Sequence, residues 1–288
     1  MNSMKKLAPE EIPPQLLEIP EPPEELYLEG ELPNHNEYRY LTVVGSRKYS
    51  SYGKEACEQL ISELAGQPIV IVSGLAIGID TIAHRAALDA GLKTVAFPGS
   101  GLDREVLHPH SNRRLADEIV ARGGALVSEF PPTYPAGLHT FPRRNRLMAG
   151  IAKAVLIIEA GDKSGTLITA RLATDYNRDV FALPGSIFSP GSKGTNRLIK
   201  QGATPITSGH DILEALGFEV EPEFQPQLNL AELSPDERKI VEILTIEPLP
   251  RDELIRALEL PTSAANSLLG IMEIKGLIKE AMGEIRLF

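Results

Sequence analysis

Short apolar runs alternate with longer stretches of helical spacing from Tyr40 to residue 217. The runs are rich in Val, Ile, Leu and Ala, which is typical of buried strands in a parallel sheet. The longer stretches carry apolar residues every three or four positions, so the alternation predicts βαβ units with right-handed crossovers. We therefore predict an α/β fold with a doubly wound, mostly parallel sheet. The predicted strands are Leu41–Val44, Ile69–Val72, Thr94–Phe97, Leu126–Ser128, Ala154–Ile158 and Val180–Ala182, and the predicted helices are Gly53–Ala65, Gly78–Ala90, Asn112–Ala121, Arg144–Ile151 and Thr166–Tyr176.

The segment that precedes this region is interrupted by prolines. Residues 1–36 carry prolines throughout, which excludes a long helix and favours an extended segment with short turns. Leu and Ile nevertheless recur through the segment. We expect a Pro- and Glu-rich arm that packs on the domain formed by residues 37–217.

The chain after this region predicts a linker and a small domain. Residues 218–231 are rich in Glu and Pro and poor in large apolar groups, which is typical of a linker. Within residues 232–288, Ser234 precedes a proline and Glu237 follows three positions later, so a capping box starts a helix. The further elements complete a winged-helix domain. These elements are helices at about Arg251–Leu258 and Thr262–Lys275, which end at Gly276, and a hairpin turn at Met282-Gly283.

Composition places the chain among ordinary globular proteins. The 288 residues are 42% hydrophobic and 24% charged, which excludes a disordered or low-complexity chain. The single cysteine, Cys57, permits no intrachain disulfide. No apolar run approaches the roughly 20 residues of a membrane span, and the N-terminus lacks the apolar core of a signal peptide. We expect a cytoplasmic protein with no membrane partner.

The net charge of -10 is unevenly distributed. The net is -6 over residues 1–36, where 2 Lys+Arg face 8 Asp+Glu, and -7 over residues 218–288, where 7 face 14. Residues 37–217 hold 20 Lys+Arg against 17 Asp+Glu, a net of +3. A local site for an anionic ligand is therefore compatible with the acidic average, and only the central segment favours one.

Two loops with glycine follow the first two predicted strands. Gly45-Ser46-Arg47 ends the first strand, at the carboxyl edge where open α/β sheets bind ligands. Ser73-Gly74 starts a tight turn into a helix, and such turns present free N–H groups to anions. The alternative is an ordinary strand exit with a surface arginine, and neither loop alone decides between the two.

The hexapeptide from Phe141 to Arg146 is the most informative stretch. It combines a ring with Arg143, Arg144 and Asn145 at a predicted loop-to-helix junction. A base can stack on the ring while arginines contact flanking phosphates. The alternative is a core phenylalanine beside a solvated helix start, but cations at a helix N-terminus oppose the helix dipole, which favours the functional interpretation.

A further glycine-containing loop follows the fifth predicted strand. Lys163, Ser164, Gly165 and Thr166 offer a cation, two hydroxyls and N–H groups before a helix, without the spacing of a phosphate-binding P-loop. Several such loops with an arginine cluster and an aromatic suit a chain of phosphates better than a single nucleotide. The residues therefore predict a nucleic-acid strand as ligand. Two more glycine loops occur at Pro184–Ser186 and Gly191–Gly194.

Cofactor and metal chemistry have weak support in the sequence. The glycine spacing does not fit a dinucleotide binder, so we predict no cofactor. Asp103, His108 and His110 match no zinc spacing, and we predict no metal site. Asp80 and His84 lie four positions apart on one helix face; a capping carboxylate and a satisfied histidine explain them better than acid/base catalysis.

Taken together, the motifs resemble those of the bacterial DNA-processing protein A family (DprA, also called Smf). The resemblance covers about Glu11 to Leu216 and consists of many motifs in one order. They are Gly-Ser-Arg, Ser-Gly-x-Ala-x-Gly-Ile-Asp, Pro-Gly-Ser-Gly-x-Asp, Ser-Glu-Phe-Pro-Pro, Phe-Pro-x-Arg-Asn-Arg and Glu-Ala followed by Ser-Gly-Thr-Leu-Ile-Thr-Ala.

The resemblance implies an extended Rossmann-like domain that acts without catalysis. It implies a homodimer that binds single-stranded DNA, loads RecA recombinase onto it, and acts in natural transformation and homologous recombination. Carried onto this chain, it implies a strand-binding pocket in which the ring stacks and the arginines contact phosphates. The residues implied are Gly45, Ser46, Arg47, Ser73, Gly74, Phe141, Arg143, Asn145, Arg146, Lys163, Ser164, Gly165 and Thr166.

This chain departs from the family pattern in several places. About ten residues precede the region of resemblance, where many members have a small helical domain. His108 occupies a position where tyrosine is common, and Leu138 occupies a stretch where we expect a lysine. The predicted third helix of the winged-helix domain has one cation and an acid, Glu273, so we predict that this domain reads DNA weakly and serves protein contact or regulation.

Two alternatives from other classes remain open at this point. One is an enzyme that resembles lysine-decarboxylase-like phosphoribohydrolases and cleaves nucleoside monophosphates, with Pro98-Gly99-Ser100 and Glu129 as its residues. The other is a scaffold that contacts only proteins, which predicts no salt-sensitive binding to oligonucleotides.

Overall fold

The computed structural model describes residues 4–219, 233–281 and 283–287. The chain divides into two compact units, of which the first ends and the second begins close to residue 220. The predicted linker lies outside the described residues, except for residues 218 and 219, and so does Met282 of the predicted hairpin turn.

The first unit is built on a nine-stranded sheet in the order β1-β2-β6-β5-β4-β3-β7-β8-β9. Strands β3 to β9 are mutually parallel, whereas β2 pairs antiparallel with β6 and β1 pairs antiparallel with β2. The strands are β1 Lys5–Lys6, β2 Tyr27–Gly30, β3 Arg39–Val44, β4 Ile69–Ser73, β5 Lys93–Ala96, β6 Ala125–Ser128, β7 Ala154–Ile157, β8 Asp179–Ala182 and β9 Thr204–Pro205.

Helices cover both faces of this sheet. The central strands are buried on both sides, which explains their continuous apolar sequences. On β4, Val70 and Val72 join an apolar cluster with residues of α5 and α6, while Ile69 and Ile71 join a second cluster with residues of α2 and α3. The helices of this unit are α1 Pro14–Leu17, α2 Ser51–Ser62, α3 Ile79–Asp89, α4 Arg113–Ala121, α5 Thr140–Ile151, α6 Thr166–Asp175, α7 Lys193–Lys200 and α8 Gly209–Ala215.

The prediction of a doubly wound, mostly parallel sheet is confirmed. All six predicted strands and all five predicted helices are present, with ends that differ by a few residues. Strands β1, β2 and β9 and helices α1, α7 and α8 were not predicted, because each is short or lies among prolines and glycines. Gly194, predicted to lie in a loop, lies instead inside α7, where the absence of a side chain lets the helix contact Ala160.

One helix start requires a correction that affects the site. The predicted helix Arg144–Ile151 begins at Thr140, so the informative hexapeptide forms the first two turns of α5 and not a junction before it. Pro142 occupies the third position of the helix. Its missing N–H costs nothing there, because the first N–H groups of a helix have no intrahelical acceptor.

The described residues of the second unit form three helices and a three-stranded sheet in the order β10-β12-β11. Ser234 accepts a hydrogen bond from the N–H of Glu237, whose carboxylate accepts one from the N–H of Ser234, so the predicted capping box starts α9. The predicted winged-helix fold is confirmed. Its elements are α9 Pro235–Ile246, β10 Leu249–Pro250, α10 Arg251–Leu258, α11 Thr262–Ile274, β11 Ile278–Ala281 and β12 Glu284–Leu287.

Candidate nucleic-acid interface

A pocket of about 650 Å³ opens at the carboxyl ends of β3 and β7. The chain builds the sheet outward from β3 in one direction and then returns to β7 on the other side, so this is the point where the strand order reverses. Open α/β sheets bind ligands at such points. Nine of the thirteen residues predicted from the sequence line the pocket: Gly45, Ser46, Arg47, Phe141, Asn145, Lys163, Ser164, Gly165 and Thr166.

The loop after β3 forms one wall of the pocket. A Cβ on Gly45 would lie 2.7 Å from the side chain of Ile79, so only glycine allows the start of α3 to pack here. The Ser46 carbonyl accepts a hydrogen bond from the N–H of Ile79 at 3.2 Å, and its hydroxyl accepts one from the N–H of Lys48 at 3.0 Å. This turn leaves the side chains of Arg47 and Lys48 exposed at the pocket.

The Phe141 ring lies among cations at the start of α5. The guanidinium carbon of Arg47 lies 5.4 Å from the ring centroid and that of Arg144 lies 6.0 Å from it. A Cβ on Gly99 would lie 2.5 Å from the ring, so the glycine loop after β5 provides the surface against which the ring packs. The ring remains half-buried and accessible from the pocket.

Arg144 was not among the residues predicted for the site, yet it lines the pocket. Its Nη1 donates to the carbonyl oxygens of Gly74 and Phe97, the latter at 2.6 Å, and its Nε donates to Oδ1 of Asn145 at 3.0 Å. The side chain is buried, and burial lowers the pKa of its guanidinium while Asp80 opposes that shift. Arg144 therefore ties the ends of β4 and β5 to α5.

Asp80 occupies the turn that follows β4. Its Oδ2 accepts hydrogen bonds from the N–H groups of Gly74 at 3.1 Å and Ala76 at 3.4 Å. Burial raises the pKa of this carboxyl, and Arg144 and the two backbone donors oppose the rise. The sequence predicted that N–H groups of this turn are free to bind an external anion. Instead, those of Gly74 and Ala76 donate to the protein's own carboxylate. Asp80 therefore holds the turn before α3 and does not cap the helix, since the N-cap of α3, Gly78, has no side-chain capping bond.

The loop between β7 and α6 forms the opposite wall. The Thr166 hydroxyl donates to the Gly45 carbonyl at 3.2 Å, which joins the two walls across the sheet edge. Ser164 accepts a hydrogen bond from the N–H of Thr166 at 3.2 Å. Lys163 is exposed on this loop and lines the pocket.

The pocket is strongly cationic although the whole chain is acidic. Four cations and one carboxylate line it: Arg47, Lys48, Arg144, Lys163 and Asp80. Within residues 4–219, no carboxylate pairs with the three exposed cations, whereas the Asp80 carboxylate and the buried Arg144 guanidinium both lie next to Gly74. Unneutralised cations beside an accessible ring attract the phosphates and bases of a nucleic-acid strand.

The structure places the other four predicted residues outside the pocket. The Ser73 hydroxyl is buried and donates to the Val43 carbonyl at 2.7 Å, and Gly74 is buried beneath Arg144. Arg143 and Arg146 lie on another face of α5, where both contact Oε2 of Glu129. Arg146 is buried there, while Arg143 is 56% exposed and lies over Phe130.

Two histidines lie near the site, His84 in the core and His108 beside the Phe141 ring. His84 is buried and its Nδ1 lies 2.7 Å from the Thr94 hydroxyl, whereas its Nε2 has no hydrogen-bond partner among the described residues, so the expected satisfied histidine is satisfied at one ring nitrogen only. Burial lowers its pKa to about 3. His108 lies 5.9 Å from the Phe141 ring, and partial burial, His110 and two arginines lower its pKa. Within the described residues, no cluster of three or more His, Cys, Asp or Glu could hold a metal ion.

Sequence comparison identifies the family of the chain. A family model described as DNA recombination-mediator protein A matches residues 4–217. The chain belongs to this family. The model of the DprA winged helix domain matches residues 224–284, in agreement with the fold of the second unit. The resemblance found in the motifs is thereby confirmed.

Curated relatives and solved structures agree with this assignment. Protein Smf of Escherichia coli is 47% identical over 206 residues, which cover 72% of this chain and 54% of Smf. DNA processing protein DprA of Streptococcus pneumoniae is 44% identical over 207 residues, covering 72% of this chain and 71% of that protein. The chain thus spans about half the length of the Escherichia coli relative.

Two solved structures of family members superpose on about three quarters of this chain. The X-ray structure of DprA from Streptococcus pneumoniae gives a TM-score of 0.68 at 40% identity and covers 76% of each chain. A structure of DprA from Helicobacter pylori, described by its single-stranded DNA binding mode, gives 0.67 at 31% identity and covers 75% of this chain and 98% of the other.

Sequence reasoning missed several pocket residues for identifiable reasons. Lys48 follows Arg47 directly, and its charge was the signal that could have found it. Arg144 was noted in the cluster but not assigned to the site. Phe141 and Arg144 lie three positions apart on one helix, and this relationship becomes visible only when α5 is known to begin at Thr140.

The described helices were also compared with the requirements of a membrane span. None of them combines the length and the apolar character that crossing a bilayer needs.

Proposed function

We propose that this protein binds single-stranded DNA in the pocket between β3 and β7. The observation that carries the proposal is the accessible Phe141 ring, whose centroid lies 5.4 Å from the guanidinium carbon of Arg47 and 6.0 Å from that of Arg144. A base stacks on this ring, and the phosphates that flank the base contact Arg47, Lys48 and Lys163. Aromatic stacking contributes about 1–3 kcal/mol per base and tolerates any sequence.

Selectivity for single strands follows from the depth of the ring. Phe141 is half-buried between the two loop walls and packs against Gly99, so only a base free of its duplex partner reaches it. A paired base is already stacked on both faces, and unpairing it costs a few kcal/mol. The same cations bind duplex DNA only through the weaker, nonspecific phosphate attraction.

The wider role that we propose follows from family membership. The family is described as a recombination mediator, which supports loading of RecA recombinase onto the bound strand, with natural transformation and homologous recombination as the settings. We propose that the working unit is a homodimer in the bacterial cytoplasm and that the protein catalyses no reaction. Loading is measured by the rate at which RecA filaments form on DNA coated with single-strand-binding protein.

Titration of a fluorescent oligo-dT tests the binding proposal. We expect tight binding whose affinity falls as salt rises, with preference over a duplex of equal length. Arg47→Ala and Phe141→Ala weaken binding about tenfold or more. Arg171→Ala is the matched control, because it removes an 85% exposed arginine that does not line the pocket. Equal binding by all variants contradicts the proposal.

The nucleotide-hydrolase alternative is not favoured. Its candidate acid, Glu129, is buried, contacts Arg143 and Arg146, and does not line the pocket. A nearby loop residue, Gly99, packs against the Phe141 ring. Incubation with nucleoside monophosphates is the corresponding measurement, and release of free base would restore this alternative.

A further inference from the structure

The loop between β8 and α7 presents two adjacent apolar side chains to solvent, outside the pocket described above. Phe188 is 88% exposed and Ile187 is 78% exposed. Single exposed apolar residues are common and need no explanation. A neighbouring pair that leaves nearly a whole phenyl ring in water, at the ligand-binding edge of the sheet, is the kind of feature that marks an interaction site.

The base of this loop is held in place by hydrogen bonds. The Asn196 side chain donates to the Gly185 carbonyl at 2.9 Å and accepts from its N–H at 3.3 Å. The Tyr52 hydroxyl donates to the Pro184 carbonyl at 2.7 Å. Across the tip, the N–H of Ser189 donates to the Ser186 carbonyl at 3.0 Å. The phenyl ring is therefore carried by an anchored turn and not by an unsupported chain.

This loop is continuous with the pocket wall. The N–H of Ala160 donates to the Gly191 carbonyl at 2.8 Å, and a Cβ on Gly161 would lie 3.8 Å from the carbonyl oxygen of Pro190. Gly161 itself lines the pocket. Phe188 precedes Pro190 by two residues, so their α-carbons are at most about 7 Å apart. The ring thus lies within a few nucleotides of the pocket rim.

Two exposed lysines lie on the loops that carry the ring and the pocket wall, beside one exposed carboxylate, Asp162, which pairs with Arg197 at 3.8 Å. Lys163 lies at the pocket and Lys193 begins α7 directly after the loop; both are exposed. In the described part of the chain, neither ammonium group pairs with a carboxylate. Cations that follow a backbone path beside a free aromatic ring are the combination found in grooves for single-stranded nucleic acid.

We propose that Phe188 is a second stacking platform for the strand that occupies the pocket. This inference rests on the proposed DNA-binding function. The strand leaves the pocket past Gly161, its phosphates contact Lys163 and Lys193, and one of the following bases stacks on Phe188. Ile187 packs against the edge of that base. The pocket alone binds a short oligonucleotide, and the platform adds affinity only for a longer one.

A fluorescence experiment tests the placement directly. The chain contains no tryptophan, so Phe188→Trp introduces a single indole that still offers a stacking surface. We expect a 15-nucleotide oligo-dT to quench its fluorescence on binding, while a short oligo-dT that fills only the pocket leaves it unchanged. Unchanged fluorescence with the long oligonucleotide, at saturation measured independently by anisotropy, overturns the proposal.

Affinity measurements separate this proposal from the pocket itself. Phe188→Ala weakens binding of the long oligo-dT about tenfold and leaves the short one unaffected. Ile246→Ala is the matched control, since it removes an 85% exposed apolar side chain from the second unit. If the unaltered protein binds neither oligonucleotide, the proposed function fails first. Phe188→Ala could instead change the sedimentation of the DNA-free protein and leave the dependence of affinity on oligonucleotide length unchanged. In that case the ring contacts a second copy of the chain, and the stacking platform is refuted.

Discussion

Ser50 donates hydrogen bonds to both carboxylate oxygens of Glu159, from its backbone N–H at 2.9 Å and from its hydroxyl at 2.6 Å. Glu159 follows β7 and is buried, while Ser50 is the cap of α2. A carboxylate at a helix N-terminus is stabilised by the helix dipole. This contact therefore fixes the loop before α2 to the strand end beside the pocket.

Glu159→Ala should lower the free energy of unfolding by about 2–4 kcal/mol, because it removes two charge-assisted hydrogen bonds that a buried carboxylate accepts. Chemical denaturation measures the change. Glu58→Ala provides the control, because it removes a half-exposed carboxylate from α2, the helix that Ser50 caps. It should change the free energy of unfolding by at most about 0.5 kcal/mol. Equal effects of the two substitutions would show that the buried contact contributes little.

Gly99→Ala should weaken single-stranded DNA binding without unfolding the protein. A Cβ at this position would lie 2.5 Å from Phe141, so the ring must move away from its present contacts with Arg47 and Arg144. We expect a loss of about fivefold or more in affinity for oligo-dT, measured by anisotropy. Gly270→Ala, which adds a Cβ in open space within α11, serves as control, and a similar loss there would argue against ring displacement.

Acidification should strengthen DNA binding through His108. Burial, His110 and the arginines at positions 47 and 144 lower its pKa, so the ring is neutral at pH 7 and gains a proton only as the pH falls below its ordinary value of 6.5. The added cation lies beside Phe141 and attracts phosphate. Affinity for oligo-dT should rise between pH 7 and pH 5, and the rise should shrink in His108→Gln. His110→Gln measures any contribution of the neighbouring ring. If His108→Gln has the same pH profile of affinity as the unaltered protein, His108 is not the source of the rise.

The second unit should lose stability in acid through Glu237. Its hydrogen bonds with Lys275 and with the N–H of Ser234 lower its pKa from 4.5 to about 2. A carboxylate with a lowered pKa stabilises the fold above its ordinary pKa, and this stabilisation is lost as pH falls from about 4.5 to 2. Amide exchange in α9 should accelerate over this interval, and Glu237→Gln should remove that part of the pH dependence. Unchanged dependence in the variant would assign the effect to other carboxylates.

A protein that ends at Leu216 should retain most of its affinity for single-stranded DNA. The segment from residue 218 to 288 carries 7 Lys+Arg against 14 Asp+Glu. In the second unit, the Arg251 guanidinium contacts the carboxylates of Glu273 and Glu280, which leaves little positive charge for phosphates. Side-by-side titration of the full and shortened chains measures the difference, and loss of most of the affinity would show that the winged-helix domain reads DNA.

The sequence allowed the sheet to be predicted because a strand such as Ile69–Ser73 is buried on both faces and therefore reads as one apolar run. The arm strand Tyr27–Gly30 escaped prediction, since it is short and its pairing with β6 depends on residues nearly a hundred positions away. Pairing of that kind leaves no local signal. Strand β9, only two residues long, has the same limitation.

The site was predicted more completely in its loops than in its helix. Glycine and hydroxyl residues after β3 and β7 followed from the rule that ligands bind at carboxyl ends of strands. The arginines of α5 could not be sorted without knowing that the helix begins at Thr140, because that start decides which side each one faces. The pairing of Arg146 with Glu129 adds a tertiary contact across 17 positions that no spacing rule reveals.

The carboxylate in the turn after β4 also limits which ligands the fold can accept. In many doubly wound proteins a turn of this kind receives the phosphate of a mononucleotide or dinucleotide. Here Asp80 is a permanent internal competitor for the N–H groups of Gly74 and Ala76, and it repels a phosphate that approaches them. A free nucleotide loses the hydrogen bonds that its phosphate would make with these N–H groups. A polymer makes many other contacts and so depends less on this turn. The protein's own carboxylate therefore closes this turn to an external phosphate, and this closure favours long ligands over small ones.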